Sequence, residues 1–253
     1  MKRWRIRLEK ELVFQDPLEK LSDEELISLM NALPLTSRNH DTVISLDFPH
    51  YCIGATEGCG GENGWCYTFQ GPLANQSHHK KVALNDVLAK KFPQLFASKV
   101  VKEVNKAKDK GEISYPNLRF SGSGEASKHH VEALGLINSA GVSVWGFSRN
   151  IVVANKLRDV GVYVQISCDK TSSSSFITSA IAGGFSLAYT STAFDDTPPI
   201  GTNVVFPLHR SGRVSEVVDT AGLCPKVVEE FFSQQRRPRY CQAFCNRCHS
   251  NNI

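Results

Sequence analysis

Seven of the eight cysteines fall in two groups, Cys52, Cys59 and Cys66 near the front and Cys224, Cys241, Cys245 and Cys248 at the end. Six residues separate each cysteine of the first group from the next, on the glycine-rich loop "CIGATEGCGGENGWC". Clustered thiols in a reducing compartment read as metal or cluster ligands rather than disulfides. Three thiolates suit a 4Fe-4S cubane that keeps one iron open to an exogenous ligand, and a glycine-rich loop can wrap so bulky an object. Tetrahedral zinc wants four ligands, and in that alternative His50 supplies the fourth. The second group offers four thiolates, enough for a closed auxiliary 4Fe-4S cluster or a structural zinc site. Its last three cysteines spell CxxxCxxC, but no strand precedes them and Cys224 completes the set. Cys168 stands alone in an apolar run and reads as a buried core thiol.

Such loops need a scaffold. Six short runs, 42–48, 117–124, 142–148, 162–168, 185–191 and 203–209, are rich in β-branched and aromatic residues and nearly continuous in apolar character. That is the pattern of strands buried on both faces. Helical patterns at 82–111, 125–141, 150–161 and 172–184 separate them, several ending in a glycine suited to a left-handed C-terminal cap. The alternation predicts parallel β-α-β units with right-handed crossovers, closed as a barrel or wound both ways as an open sheet. In either form, active residues belong on loops at the carboxyl ends of the strands, where the first cysteine group falls. The connection 192–202 is short and proline-rich, so a loop at the mouth of the sheet is expected there. Upstream, "LSDEELISLMNAL" predicts a helix capped by Ser22 with acidic residues in its first turn.

Three cysteines after the first strand, an aromatic after the last of them in "WCYTF", and the turn "RFSGSGE" after the second strand together resemble the radical S-adenosylmethionine (radical SAM) enzyme family. The usual signature there is CxxxCxxC, and this chain departs from it in both gaps. The chain also resembles the phage-associated gene product 88-like proteins, in "CIGATEGC", "RFSGSGE" and the cysteine-rich C-terminus. The resemblance spans about residues 42–248. It implies a partial (β/α)6 barrel over residues 41–214, an N-terminal extension over 1–40 and an auxiliary iron-sulfur segment over 215–253. By the same resemblance Cys52, Cys59 and Cys66 bind three irons, and S-adenosylmethionine chelates the fourth. Tyr67 would lie beside the cluster, facing the adenine. Ser121, Gly122, Ser123, Gly124 and Glu125 would receive the methionine amino group. Arg149 and Ser167, at the ends of the third and fourth strands beside Ser148 and Asp169, would hold the ribose hydroxyls and the methionine carboxylate; strand-end capping is their alternative role. The implied reaction is reductive cleavage of S-adenosylmethionine to a 5′-deoxyadenosyl radical, with an electron from a flavodoxin- or ferredoxin-like donor and a further, unidentified substrate.

The bulk properties set bounds on this reading. A chain of 253 residues, 41% hydrophobic, is long enough for one sizeable core with appendages. The start "MKRWRIRLEKELVF" has no apolar signal region and no later stretch has a membrane-spanning pattern, so a cytoplasmic protein without membrane contact is expected. A net charge of +4 and a pI near 8.6 permit an anionic partner such as nucleic acid without indicating one. The basic run Arg236, Arg237 and Arg239 fits a solvated surface or a phosphate contact. A zinc- or iron-sulfur-dependent binding module without radical chemistry is the alternative function. His209 ends the sixth strand as a surface histidine or a proton donor. The adjacent pairs His78/His79 and His129/His130 point about 100° apart on a helix and read as surface or helix-start residues rather than ligands.

Overall fold

The computed structural model describes residues 18, 20–38, 43–49, 76–122, 124–191 and 197–207. In chain order these form α1 (Asp23–Ala32), β1 (Ser37–Arg38), β2 (Ile44–Leu46), α2 (Gln76–Lys91), α3 (Pro93–Asp109) and β3 (Asn117–Phe120). Then follow α4 (Val131–Ser139), β4 (Ser143–Ser148), α5 (Ile151–Asp159), β5 (Tyr163–Asp169), α6 (Ser174–Ala182), β6 (Leu187–Ser191) and β7 (Thr202–Pro207). All seven strands make one sheet in sequential order, β1 antiparallel to β2 and the other neighbours parallel. The six expected strands are all present, and β1 is an addition at the edge that two polar residues do not announce.

Alternation along each strand divides the sheet into two unlike faces. Ile44, Leu46, Leu118, Phe120, Val144, Val164, Ile166, Leu187 and Val205 join a single apolar cluster with buried residues from all six helices. The helices therefore cover one face, as sequential parallel strands with right-handed crossovers require. Each fully buried Leu or Ile there contributes about 1.5–3 kcal/mol. Cys168 belongs to this layer, fully buried, and burial pushes its thiol up to about 11, as expected for a core cysteine. The opposite face is mixed, with Ser45, Asp47, Arg119, Gln165, Ser167 and Asp169 beside small apolar clusters of Val43, Trp145, Phe147, Tyr163, Ala188 and Val204.

Two helices depart from the sequence pattern. The run 82–111 is not one helix, because Phe92 leaves the helical region (φ −134°, ψ 56°) and Pro93 starts α3. A residue before proline is pushed out of the α region, and proline is well placed at a first helical position. The run 125–141 becomes helical at Val131, since the preceding residues are used in the turn after β3. Elsewhere the helix ends are as expected. Ser22 and Glu25 form a reciprocal capping box on α1, and Gly111, Gly141, Gly161 and Gly184 follow their helices with φ between 68° and 86°. Residues 197–201 make a turn without a helix, in keeping with the short connection before β7.

Candidate functional site

The carboxyl ends of β2, β3, β4 and β5 bring the described candidate residues together. Beyond Phe120 the ladder continues for one bond, Ser121 N donating to Leu46 O at 2.9 Å, and Ser121 then adopts a left-handed φ of 52°. This sharp departure costs a non-glycine residue about 1–2 kcal/mol. It turns the chain across the exit of β2. A Cβ on Gly124 (φ 70°) would lie 1.9 Å from Phe48 O, and one on Gly122 would lie 2.8 Å from Asp47 Oδ1. Glu125 N closes the contact by donating to Pro49 O at 3.2 Å. The glycines thus let the turn press against the strand exit that leads into the first cysteine loop.

Glu125 reaches the next strand. Its Oε1 accepts from Ser148 Oγ at 2.6 Å and from Arg149 N at 2.7 Å. Burial raises its carboxyl above the ordinary value, although Ser148, the backbone and charge of Arg149, and the backbone of Asn150 all pull it down. Asn150 caps α5, its Oδ1 accepting from Val153 N at 3.2 Å, so the helix start is fixed just after the residues that hold Glu125. Arg149 Nη2 donates to Asp169 Oδ2 at 2.9 Å, with both side chains under a tenth exposed. Asp169 Oδ1 accepts from Thr171 N and Thr171 Oγ1 at 2.8 and 2.6 Å. Arg149 and Asp169 therefore form a buried, oriented pair at adjoining strand ends.

Ser167 lies on the same face as Asp169 and is half-buried. Ser121 Oγ is buried, with no hydrogen-bond partner among the described residues. These hydroxyls, the Arg149–Asp169 pair and the backbone turn at 121–125 can receive a small zwitterionic or sugar-bearing ligand. Cys52, Cys59, Cys66, Tyr67, Ser123, Cys224, Cys241, Cys245, Cys248, His50 and His209 lie outside the described residues. Among the described residues no cluster of His, Cys, Asp or Glu could hold a metal ion, and no helix is long and apolar enough to cross a membrane.

Two features were missed in the sequence. His78 and His130 sit at helix starts but are buried, not on the surface. His130 stacks on Phe48 with ring centroids 3.8 Å apart; its Nδ1 accepts from Ser127 N at 2.9 Å. The proton is thus assigned to Nε2, which lies 2.7 Å from Asp86 Oδ1. The aromatic stack holds the same β2 exit that Gly124 touches. The second feature is Arg119, whose position between the helix-facing Leu118 and Phe120 was the available signal for a cation on the opposite face. A groove of about 340 Å³ lies elsewhere, between the segment 32–38 and α3, where Arg38 pairs with Glu112 and Lys99 with Glu103. No family model, curated protein or solved structure matches this chain.

Proposed function

We propose that the chain is a radical S-adenosylmethionine enzyme built on a partial (β/α)6 barrel. The observation that carries the reading is the seat of the "SGSGE" turn. It lies directly on the exit of β2, with Gly124 against Phe48 and Pro49, so the loop bearing Cys52, Cys59 and Cys66 starts beside it. Six parallel strands in sequential order, with helices on one face, support the barrel form. The orphaned hydroxyl of Ser121 fits a bound polar ligand at the same place.

In this reading Cys52, Cys59 and Cys66 hold a 4Fe-4S cluster, and Cys224, Cys241, Cys245 and Cys248 hold an auxiliary one. When bound, the cluster and S-adenosylmethionine supply an electron and a cleavable carbon–sulfur bond, and hence a 5′-deoxyadenosyl radical. The protein's own part is placement. Carbonyl groups and hydroxyls of the 121–125 turn accept from the methionine ammonium, while Glu125 stiffens that turn against the end of β4. Arg149, held by Asp169, presents guanidinium N–H groups to a carboxylate, and Ser167 offers a hydroxyl to the ribose.

The test is the iron and sulfide content of anaerobically purified full-length protein, followed by assay for 5′-deoxyadenosine with dithionite and S-adenosylmethionine. About eight irons per chain and product formation are expected, falling to about four irons and no product in Cys59→Ala. Zinc in place of iron, with no cleavage, would overturn the proposal.

A further inference from the structure

Arg119 differs from the other arginines described around the sheet. Arg149 pairs with Asp169, Arg38 with Glu112, and Arg158 donates to Gly183 O and Asn155 Oδ1. Arg119 makes no ion pair or hydrogen bond among the described residues, and its Nε is buried without an acceptor. Its contacts are aromatic: the guanidinium carbon lies 5.3 Å from the ring centroid of Phe147 and 5.9 Å from that of Trp145. Cation–π contact holds the side chain's direction but supplies no hydrogen-bond acceptor, so the buried Nε–H has no acceptor among the described residues.

Its surroundings on the same side are partly exposed, although Trp145 and Gln165 there are buried. Ser45, Arg119, Trp145 and Tyr163 are successive register neighbours on β2 to β5. Ser45, Arg119, Phe147 and Tyr163 are all half-exposed on the face that the helices do not cover. Ser121, two positions along from Arg119, adds a second buried donor without a partner. A guanidinium with an unmet donor, an aromatic wall and a nearby hydroxyl together make a receptor for oxyanions, since the planar fork matches carboxylate and phosphate alike.

We propose that Arg119, braced by Phe147 and Trp145, binds an anionic oxygen group, a carboxylate or a phosphate, of a molecule seated on the face of the sheet that the helices do not cover. That this molecule is the substrate of radical chemistry rests on the function proposed above; the anion site itself does not. Arg119 precedes the 121–125 turn by two residues on β3, so an anion there leaves room for the rest of the molecule toward the strand ends.

Calorimetric titration of the anaerobically purified full-length protein with inorganic phosphate and with benzoate, at ionic strength held constant with chloride, tests the site. Saturable binding of at least one is expected, weakened about tenfold or more in Arg119→Gln and unchanged in the charge-matched surface variant Lys102→Gln. Benzoate alone binding assigns a carboxylate, phosphate alone a phosphoryl group. Binding of neither, or wild-type affinity in Arg119→Gln, overturns the proposal. If thermal melting shows that Arg119→Gln does not fold, Arg119→Lys decides: it keeps the charge and loses the fork, so weakened binding supports the site and wild-type affinity overturns it. Measuring 5′-deoxyadenosine on the same preparation separates the two ideas. Anion binding without cleavage retires the radical reading and keeps this site, whereas cleavage without anion binding does the reverse.

Discussion

Arg149 and Asp169 are a pair that stability measurements can dissect. Both side chains are under a tenth exposed, so removing one charge strands the other in a medium that solvates it poorly. Arg149→Met and Asp169→Asn are each expected to lose about 3–5 kcal/mol in urea unfolding, and the double variant less than their sum. Strict additivity would sink the idea that the two charges support each other. Glu125 gives a pH signature instead. Burial raises its folded pKa above the ordinary 4.5, so the folded chain binds that proton more tightly than the unfolded chain. Its contribution is therefore fully present below the unfolded value and is lost as pH rises through the raised folded value. Glu125→Gln keeps an acceptor for Ser148 Oγ and Arg149 N but cannot ionise. Its stability is expected to improve relative to wild type as pH rises above the ordinary carboxylate value of 4.5, read from paired denaturation curves; parallel curves would refute the assignment. At this scale the sequence marked Arg149, Ser167 and Asp169 as strand-end groups. It could not show that Glu125 is engaged by the next strand, because that contact joins residues 24 positions apart.

The turn from β3 to α4 matters as an element because it fixes how the exit of β2 approaches the rest of the site. Gly124 and Gly111 have nearly the same left-handed φ, 70° and 68°, in opposite surroundings. A Cβ on Gly124 meets Phe48 O at 1.9 Å, whereas one on Gly111 meets nothing within 4 Å. Gly111→Ala is expected to cost about 1 kcal/mol from the dihedral alone, and Gly124→Ala clearly more, because backbone must shift to admit the methyl. Equal losses in thermal unfolding would mean that the turn does not press on the strand exit. The parallel strands were legible because each is a compact apolar run, and the helices because their glycine stops recur. What escaped were features lacking such a signal: the two polar residues of β1, the non-helical residues between Glu125 and Val131, and the break at Phe92. That last feature could have been inferred from Pro93.

At the scale of the molecule, the segment before the parallel sheet is joined to it by polar groups as well as apolar ones. Glu103 on α3 accepts from Leu35 N at 3.1 Å, Thr36 N at 2.9 Å and Thr36 Oγ1 at 2.7 Å. From α2, Asn85 Nδ2 donates to Leu35 O, and Lys81 Nζ to Thr36 O and Ser37 Oγ. Leu26 and Met30 of α1 enter the same apolar cluster as the sheet. The clamp therefore lets β1 extend the sheet and lets α1 cover α2 and α3. Glu103→Ala removes one carboxylate but strands three donors, and each partly buried donor left unpaired costs about 1–3 kcal/mol where water cannot replace the acceptor. The loss should be local, since the strands from β3 to β7 keep all of their ladder bonds. Hydrogen exchange is expected to quicken across residues 22–38 in Glu103→Ala while amides of β4 and β5 keep their protection. If both regions exchange together, the segment opens with the whole fold and the clamp is not a separable unit. If neither changes, apolar packing of Leu26 and Met30 holds the segment without Glu103.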